Sequence, residues 1–198
     1  MEISAALRKL LPTTNRRLAL APGPSVPLPA ANAIAWGAKV SPEFRSKVIS
    51  IARQIQCDAN DLMACMAFET GRTFSPAQRN PASGATGLIQ FMPNTAKGLG
   101  TTVEQLARMS AVDQLDYVLA YFKPWVGRLA SLSDLYMGVL APAAIGKPDS
   151  TALYSSPSPQ YEQNKGLDHD LDGAITKAEA AGHVQRALQE GMLPPNRA

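Results

Sequence analysis

The chain has 198 residues, 45% of them hydrophobic and 6% aromatic, with a net charge of +3. That length and balance suit one globular domain of moderate size, with enough chain for a real core. The mild basic excess suits an anionic partner but makes no argument for nucleic acid, and no apolar run is long enough to span a membrane.

Residues 1–11 place Ile3, Ala6, Leu7, Leu10 and Leu11 on one helical face, with Arg8 and Lys9 off it. A short amphipathic helix is expected there, docked on its own domain, with weak contact to a membrane surface as the alternative. Arg8, Lys9, Arg16 and Arg17 break up any apolar stretch, so no secretory signal peptide is expected. Residues 12–38 carry Pro12, Pro22, Pro24, Pro27 and Pro29 among small residues and read as an extended linker. The remainder divides into an expected helical domain over 39–157, folded from about Ser41, and a C-terminal segment over 158–198.

Ser41-Pro42-Glu43 is a helix start, a cap followed by proline at the first helical position. Phe44, Val48, Ile51 and Ile55 follow at helical spacing as core. The next helix is apolar at every position from Leu62 to Phe68 and ends in Glu69. Such a run lacks the alternation of a half-buried strand, and a helix apolar all round is central and buried. Asn60 or Asp58 can cap it, and Gly71 suits its exit. Glu69 shares a face with Cys65 and Met66. Poor solvation and the negative end of the helix dipole would raise its pKa, which fits a general acid. Cys57 and Cys65 would stand about 12 Å apart along one helix, too far for a disulfide, so reduced thiols are expected.

A Gly/Pro/Ser-rich loop then runs to Gly87-Leu88-Ile89-Gln90 and Pro93. Beside a buried acid it is a candidate groove wall. Thr102 with Gln105 forms a capping box. Ser110 starts a helix with Val112, Leu115, Leu119 and Phe122 inward, while Tyr117 and Tyr121 make a second stripe that reads first as core and second as sugar contact. Ser131 or Ser133 caps a helix that ends by Pro142, and residues 148–159 read as loop.

Residues 168–179 fit the EF-hand pattern position by position. Asp168, Asp170 and Asp172 stand at positions 1, 3 and 5, and Gly173 makes the turn at 6. Ala174 offers its carbonyl at 7, Thr176 acts through water at 9, and Glu179 stands at 12. Calcium is hard and takes six to eight oxygens, so this set predicts one Ca2+ site. With no second loop in the sequence, the site reads as structural rather than sensory. Residues 161–167 and 178–188 are its expected flanking helices.

Glu69-Thr70, Ser83-Gly84-Ala85-Thr86-Gly87-Leu88-Ile89-Gln90 and Met92-Pro93-Asn94-Thr95-Ala96 together resemble the soluble lytic transglycosylase and goose-type lysozyme family. That family cleaves the glycan strands of bacterial peptidoglycan on a lysozyme-like, mainly α fold. The resemblance implies that Glu69 is the catalytic acid/base, with Thr70 in place of a serine, and that Gln90 binds substrate; Tyr121 joins them as a sugar contact. The family's Ala-Tyr-Asn-Ala-Gly motif should fall near residues 140–146, where this chain reads Leu-Ala-Pro-Ala-Ala-Ile-Gly.

The nearest second carboxylates in sequence are Asp58 and Asp61. Asp61 lies about 12 Å from Glu69 along a helix, beyond either glycosidase spacing. Asp113 and Asp116 sit on another helix and stay open. A one-carboxylate mechanism is therefore expected, in which the substrate's C6 hydroxyl attacks to give 1,6-anhydro-MurNAc ends. The alternatives are a hydrolytic muramidase and a non-catalytic, calcium-stabilised peptidoglycan-binding protein. A monomer is expected, acting on the cell wall as a phage lysin, virion component or injected effector.

Overall fold

The computed structural model describes residues 33–198, and the expected N-terminal helix and most of the expected linker lie outside them. The fold is mainly helical: α1 (Pro42–Ile55), α2 (Ala59–Glu69), α3 (Pro93–Gly98), α4 (Val103–Arg108), α5 (Ala111–Phe122) and α6 (Leu132–Leu140) precede β1 (Ala152–Ser155), α7 (Pro159–Asn164), β2 (Ala174–Thr176) and α8 (Lys177–Met192).

Side-chain caps fix most helix starts. The Ser41 hydroxyl accepts from Phe44 N at 3.1 Å, Asp58 from Asn60 N at 2.7 Å and Ser131 from Asp134 N at 3.1 Å. Thr102 and Gln105 cap each other, as their spacing predicts.

Every residue from Leu62 to Glu69 is buried, so α2 is the central helix that its unbroken apolar run implies. α1, α6 and α8 pack around it. Its C-terminus closes in a Schellman arrangement: Arg72 N donates to Ala67 O at 2.7 Å and Gly71 N to Phe68 O at 3.2 Å. Gly71, at φ 59°, takes the left-handed position that needs glycine.

The domain begins earlier than Ser41. Trp36 is 2% exposed, and its indole Nε1 donates to Ala187 O at 2.9 Å on α8. Ile34 N donates to Ala198 O at 2.9 Å, so the first described residues pair with the last. Proline content marked this stretch as linker, but Ile34 and Trp36 bury enough apolar surface to dock it.

The C-terminal segment is not a separate unit either. Leu167, Ile175, Ala180, Val184 and Ala187 belong to the same hydrophobic core as α2. Residues 148–159, expected as loop, contain β1, which pairs antiparallel with β2; Tyr154 stands opposite Ile175. A four-residue strand is too short for its alternation to register in sequence. The entering segment of the acidic loop is likewise shorter than expected, with α7 ending at Asn164 and a 3-10 turn covering Lys165–Leu167.

Candidate functional site

Glu69 ends α2 at 3% exposure, on the same face as the fully buried Cys65 and Met66. Three hydroxyl or thiol groups feel its charge. Burial first, then Glu69, pushes the Cys65 thiol and the Tyr136 hydroxyl well up. Burial, then Cys65 and Glu69, pushes Tyr121 up to about 12. These groups therefore stay protonated at neutral pH. Tyr136 was not legible as a site residue. It sits in an apolar helix, and only the packing of α6 on α2 brings it to Glu69.

The groove-wall turn is braced from below. Thr86 and Phe91 exchange backbone bonds of 3.0 and 2.9 Å, closing Gly87–Gln90 into a tight loop. Gln114 of α5, fully buried, holds it: its Oε1 accepts from Leu88 N at 2.6 Å, while its Nε2 donates to Leu106 O at 2.9 Å and Pro76 O at 3.1 Å. Gly87 has φ 89°, and a Cβ there would stand within van der Waals radii of the Gln114 amide. One side chain thus ties the Gly87–Gln90 turn, the loop at Pro76 and α4 together. Gln114 could be mistaken for a surface residue in sequence, since its neighbours Asp113 and Asp116 are exposed.

The expected substrate residues are engaged by the protein itself. Thr70 is buried; its hydroxyl donates to Met66 O at 2.7 Å and accepts from Phe74 N at 3.0 Å, bracing the helix end. Gln90, 7% exposed, donates from Nε2 to Gly87 O at 3.0 Å and Gln78 O at 3.1 Å. Its Oε1 is buried with no hydrogen-bond partner among the described residues. Tyr121 donates its hydroxyl to Gly138 O at 2.6 Å and meets Phe91, Phe122 and Trp125 edge to face. It joins α5 to α6 and to the loop, and it lies within electrostatic reach of Glu69.

The candidate second carboxylates have other duties. Asp116 pairs with Lys47 at 2.8 Å, and Asp113 accepts from the Ser110 hydroxyl at 2.7 Å. Asp61, pushed up to about 6 by burial and then by Asp58, lies two turns from Glu69 on α2. Cys57 and Cys65 are both free.

In the acidic loop, carboxylate oxygens of Asp168, Asp170 and Asp172 lie within 4.8 Å of one another, close enough to hold a metal ion. Asp168 is fixed by Tyr161 OH at 2.6 Å, Leu171 N at 2.7 Å and Gly173 N at 3.0 Å. The Tyr161 bond leads the interactions that hold its carboxyl below the usual range. Gly173, at φ 87°, makes the turn.

Glu179 points into the loop but outside that trio: Oε1 accepts from His169 N at 3.0 Å and Oε2 from the Thr176 hydroxyl at 2.7 Å. Burial would raise its pKa, but bonds from Thr176 and His169 outweigh that and hold it low. Thr176 caps α8, and Ala174 begins β2.

No protein-family model, curated protein or solved structure matches the chain. Among the described residues, no helix is long and apolar enough to cross a membrane.

Proposed function

We propose that the protein is a peptidoglycan-cleaving glycosidase of lysozyme-like fold, acting as a lytic transglycosylase on the MurNAc–GlcNAc β-1,4 bond. The observation that carries this reading is Glu69, 3% exposed at the end of the buried helix α2. Glu69 gives its proton to the leaving GlcNAc oxygen as the bond to MurNAc C1 breaks. The ionised Glu69 then takes the proton of the MurNAc C6 hydroxyl, whose oxygen closes on C1. The carboxyl is restored, no water is consumed, and one residue serves as acid and then base. The duties found for Asp113 and Asp116 favour this one-carboxylate scheme over a paired one. Tyr121 and Gln90 border the position a sugar would occupy, and Thr70 acts by holding the end of α2.

The Asp168–Glu179 loop is read as an EF-hand-like site for one structural Ca2+. The convergent Asp168, Asp170 and Asp172 oxygens fit a hard cation, with Glu179 and the Ala174 carbonyl completing the set and Thr176 contributing through water. The ion takes no part in the glycan chemistry; it would order the start of α8, which packs on α2. The partner is then the cell-wall glycan of bacteria, reached as a phage lysin, virion component or injected effector.

Incubation with purified peptidoglycan and mass spectrometry of the fragments tests the reading. Anhydro ends, one water lighter than reducing ends, are expected from the native protein and not from Glu69→Gln. Reducing ends would show a hydrolytic muramidase, and no cleavage at all a binding protein.

A further inference from the structure

The acidic loop is held from outside its own span, and one of the outer contacts reaches a candidate ligand. Asp168 is 4% exposed, the buried member of a trio whose other two carboxylates, Asp170 and Asp172, are exposed. Its Oδ2 accepts from the Tyr161 hydroxyl at 2.6 Å and from Gly173 N at 3.0 Å. An ionised carboxylate offers about four lone-pair sites, two on each oxygen, so these donors fill Oδ2. Oδ1 accepts from Leu171 N at 2.7 Å, while Asp172 N turns to Asp170 Oδ1 at 3.2 Å instead. Asp168 Oδ1 therefore keeps a site for a cation. The three acids bring carboxylate oxygens within 4.8 Å of one another, a hard donor set that fits Ca2+.

Tyr161 is itself well fixed. Its N–H donates to Ser158 Oγ at 3.1 Å at the start of α7, and its ring packs against the core. A bond of 2.6 Å between a hydroxyl and a carboxylate lies in the short, charge-assisted range. Nearby, Ser156 N donates to Gly173 O at 2.8 Å, and β1 pairs with β2, with Tyr154 opposite Ile175 and Ser155 opposite Ala174. A lone acidic loop has no second loop to lean on. Residues 152–161 take that place, and within them Tyr161 alone reaches a carboxylate of the trio. Outer partners of a metal-binding side chain fix which atom it offers, and losing one costs about ten- to a hundredfold in affinity.

We propose that Tyr161 is a positioning residue for the cation: its hydroxyl, with Gly173 N–H, occupies Asp168 Oδ2 and presents Oδ1 as the ligating oxygen. The proposal rests on the Ca2+ reading of the loop given above. Tyr161 is not a ligand and acts through Asp168.

Calorimetric titration of Ca2+ into the chelator-stripped full chain tests it, with the native protein, Tyr161→Phe and Tyr161→Leu. Phenylalanine keeps the packed ring and removes only the hydroxyl. Melts in excess chelator establish that each variant is folded at the titration temperature, so that loss of fold does not pass for loss of affinity. Tyr161→Phe should still bind at a single site, with Kd weakened about tenfold. A native Kd in Tyr161→Phe, with weakening only in Tyr161→Leu, would make the ring a packing element and overturn the proposal. A measurement on the native chain stands beside it. The Tyr161 hydroxyl proton, followed by NMR through its contacts with the ring protons, should persist as a hydrogen-bonded resonance when Ca2+ is added. Its loss on loading would show that the tyrosine lets go of Asp168 as the ion binds, and the proposal falls. Failure of the Ca2+ reading looks different: the native protein itself shows no saturable binding, and the ion site and the role of Tyr161 fall together.

Discussion

Gln114→Met tests the brace beneath the candidate groove wall. Methionine keeps the length and flexibility of glutamine and removes both polar atoms. Leu88 N–H and Pro76 C=O lose their partner, whereas Leu106 C=O keeps Met109 N–H at 3.2 Å. Leu88 is buried, whereas Pro76 is half-buried and can recruit water. One orphaned buried group costs about 1–3 kcal/mol. About 2 kcal/mol is expected, a fall in Tm of roughly 4–8 °C for a chain of this size. Urea unfolding measures the stability, and lysis of purified sacculi well below the new Tm measures the consequence for the site. Turnover should fall by more than the folded fraction accounts for, because Gln90 sits on the released turn. A variant within about 0.5 kcal/mol of native, with native turnover, would refute the claim that this amide carries the wall.

Glu69→Gln keeps the side chain's shape, and lytic activity should vanish while the unfolding curve stays near native; activity in the folded variant would remove Glu69 from the chemistry. Chelation should lower Tm, and Asp168→Ala should abolish the calcium-dependent shift, about 2.7 kcal/mol at a hundredfold excess over Kd; identical melts with and without chelator refute the ion site. His183 is pushed down to about 4 by burial, then Arg186 and His169, so the unfolded chain binds a proton that the folded chain refuses between about pH 6.5 and 4. Its contribution to stability is therefore lost as pH falls through that window, and Tm of His183→Asn should drop less than native from pH 6.5 to 4. Asp61, raised to about 6, has the opposite sign: Asp61→Asn should stabilise at pH 7 and lose that gain below about pH 4, and a gain equal at both pH values would contradict its burial.

The parts of the fold that read directly from sequence are those set by local rules. Ser41-Pro42, Thr102 with Gln105, and the unbroken apolar run into Glu69 each specify their element within a few residues, and each element is found there. What failed depends on partners far along the chain. Trp36 looks like a lone aromatic after a proline-rich stretch until α8 is laid beneath it. Gly191 then explains itself, since a Cβ there would meet the Trp36 ring. β1 is likewise invisible without β2, because a strand this short is defined by the ladder and not by its own residues.

The candidate site divides along the same line. Glu69 and the acidic loop announce themselves because their chemistry demands particular residue types at particular spacings. Gln114 and Tyr136 do not, because each is ordinary on its own helix and acquires its role only from what it meets in space. The roles of Thr70 and Gln90 shift for the same reason. Their amide and hydroxyl groups suit a substrate, but the backbone reaches them first: Thr70 braces the end of α2 and Gln90 its own turn. Variants at Thr70 and Gln90 should therefore register in stability as well as in turnover, whereas Glu69→Gln should register in turnover alone. That contrast separates a chemical group from its supports, and the same two assays resolve it.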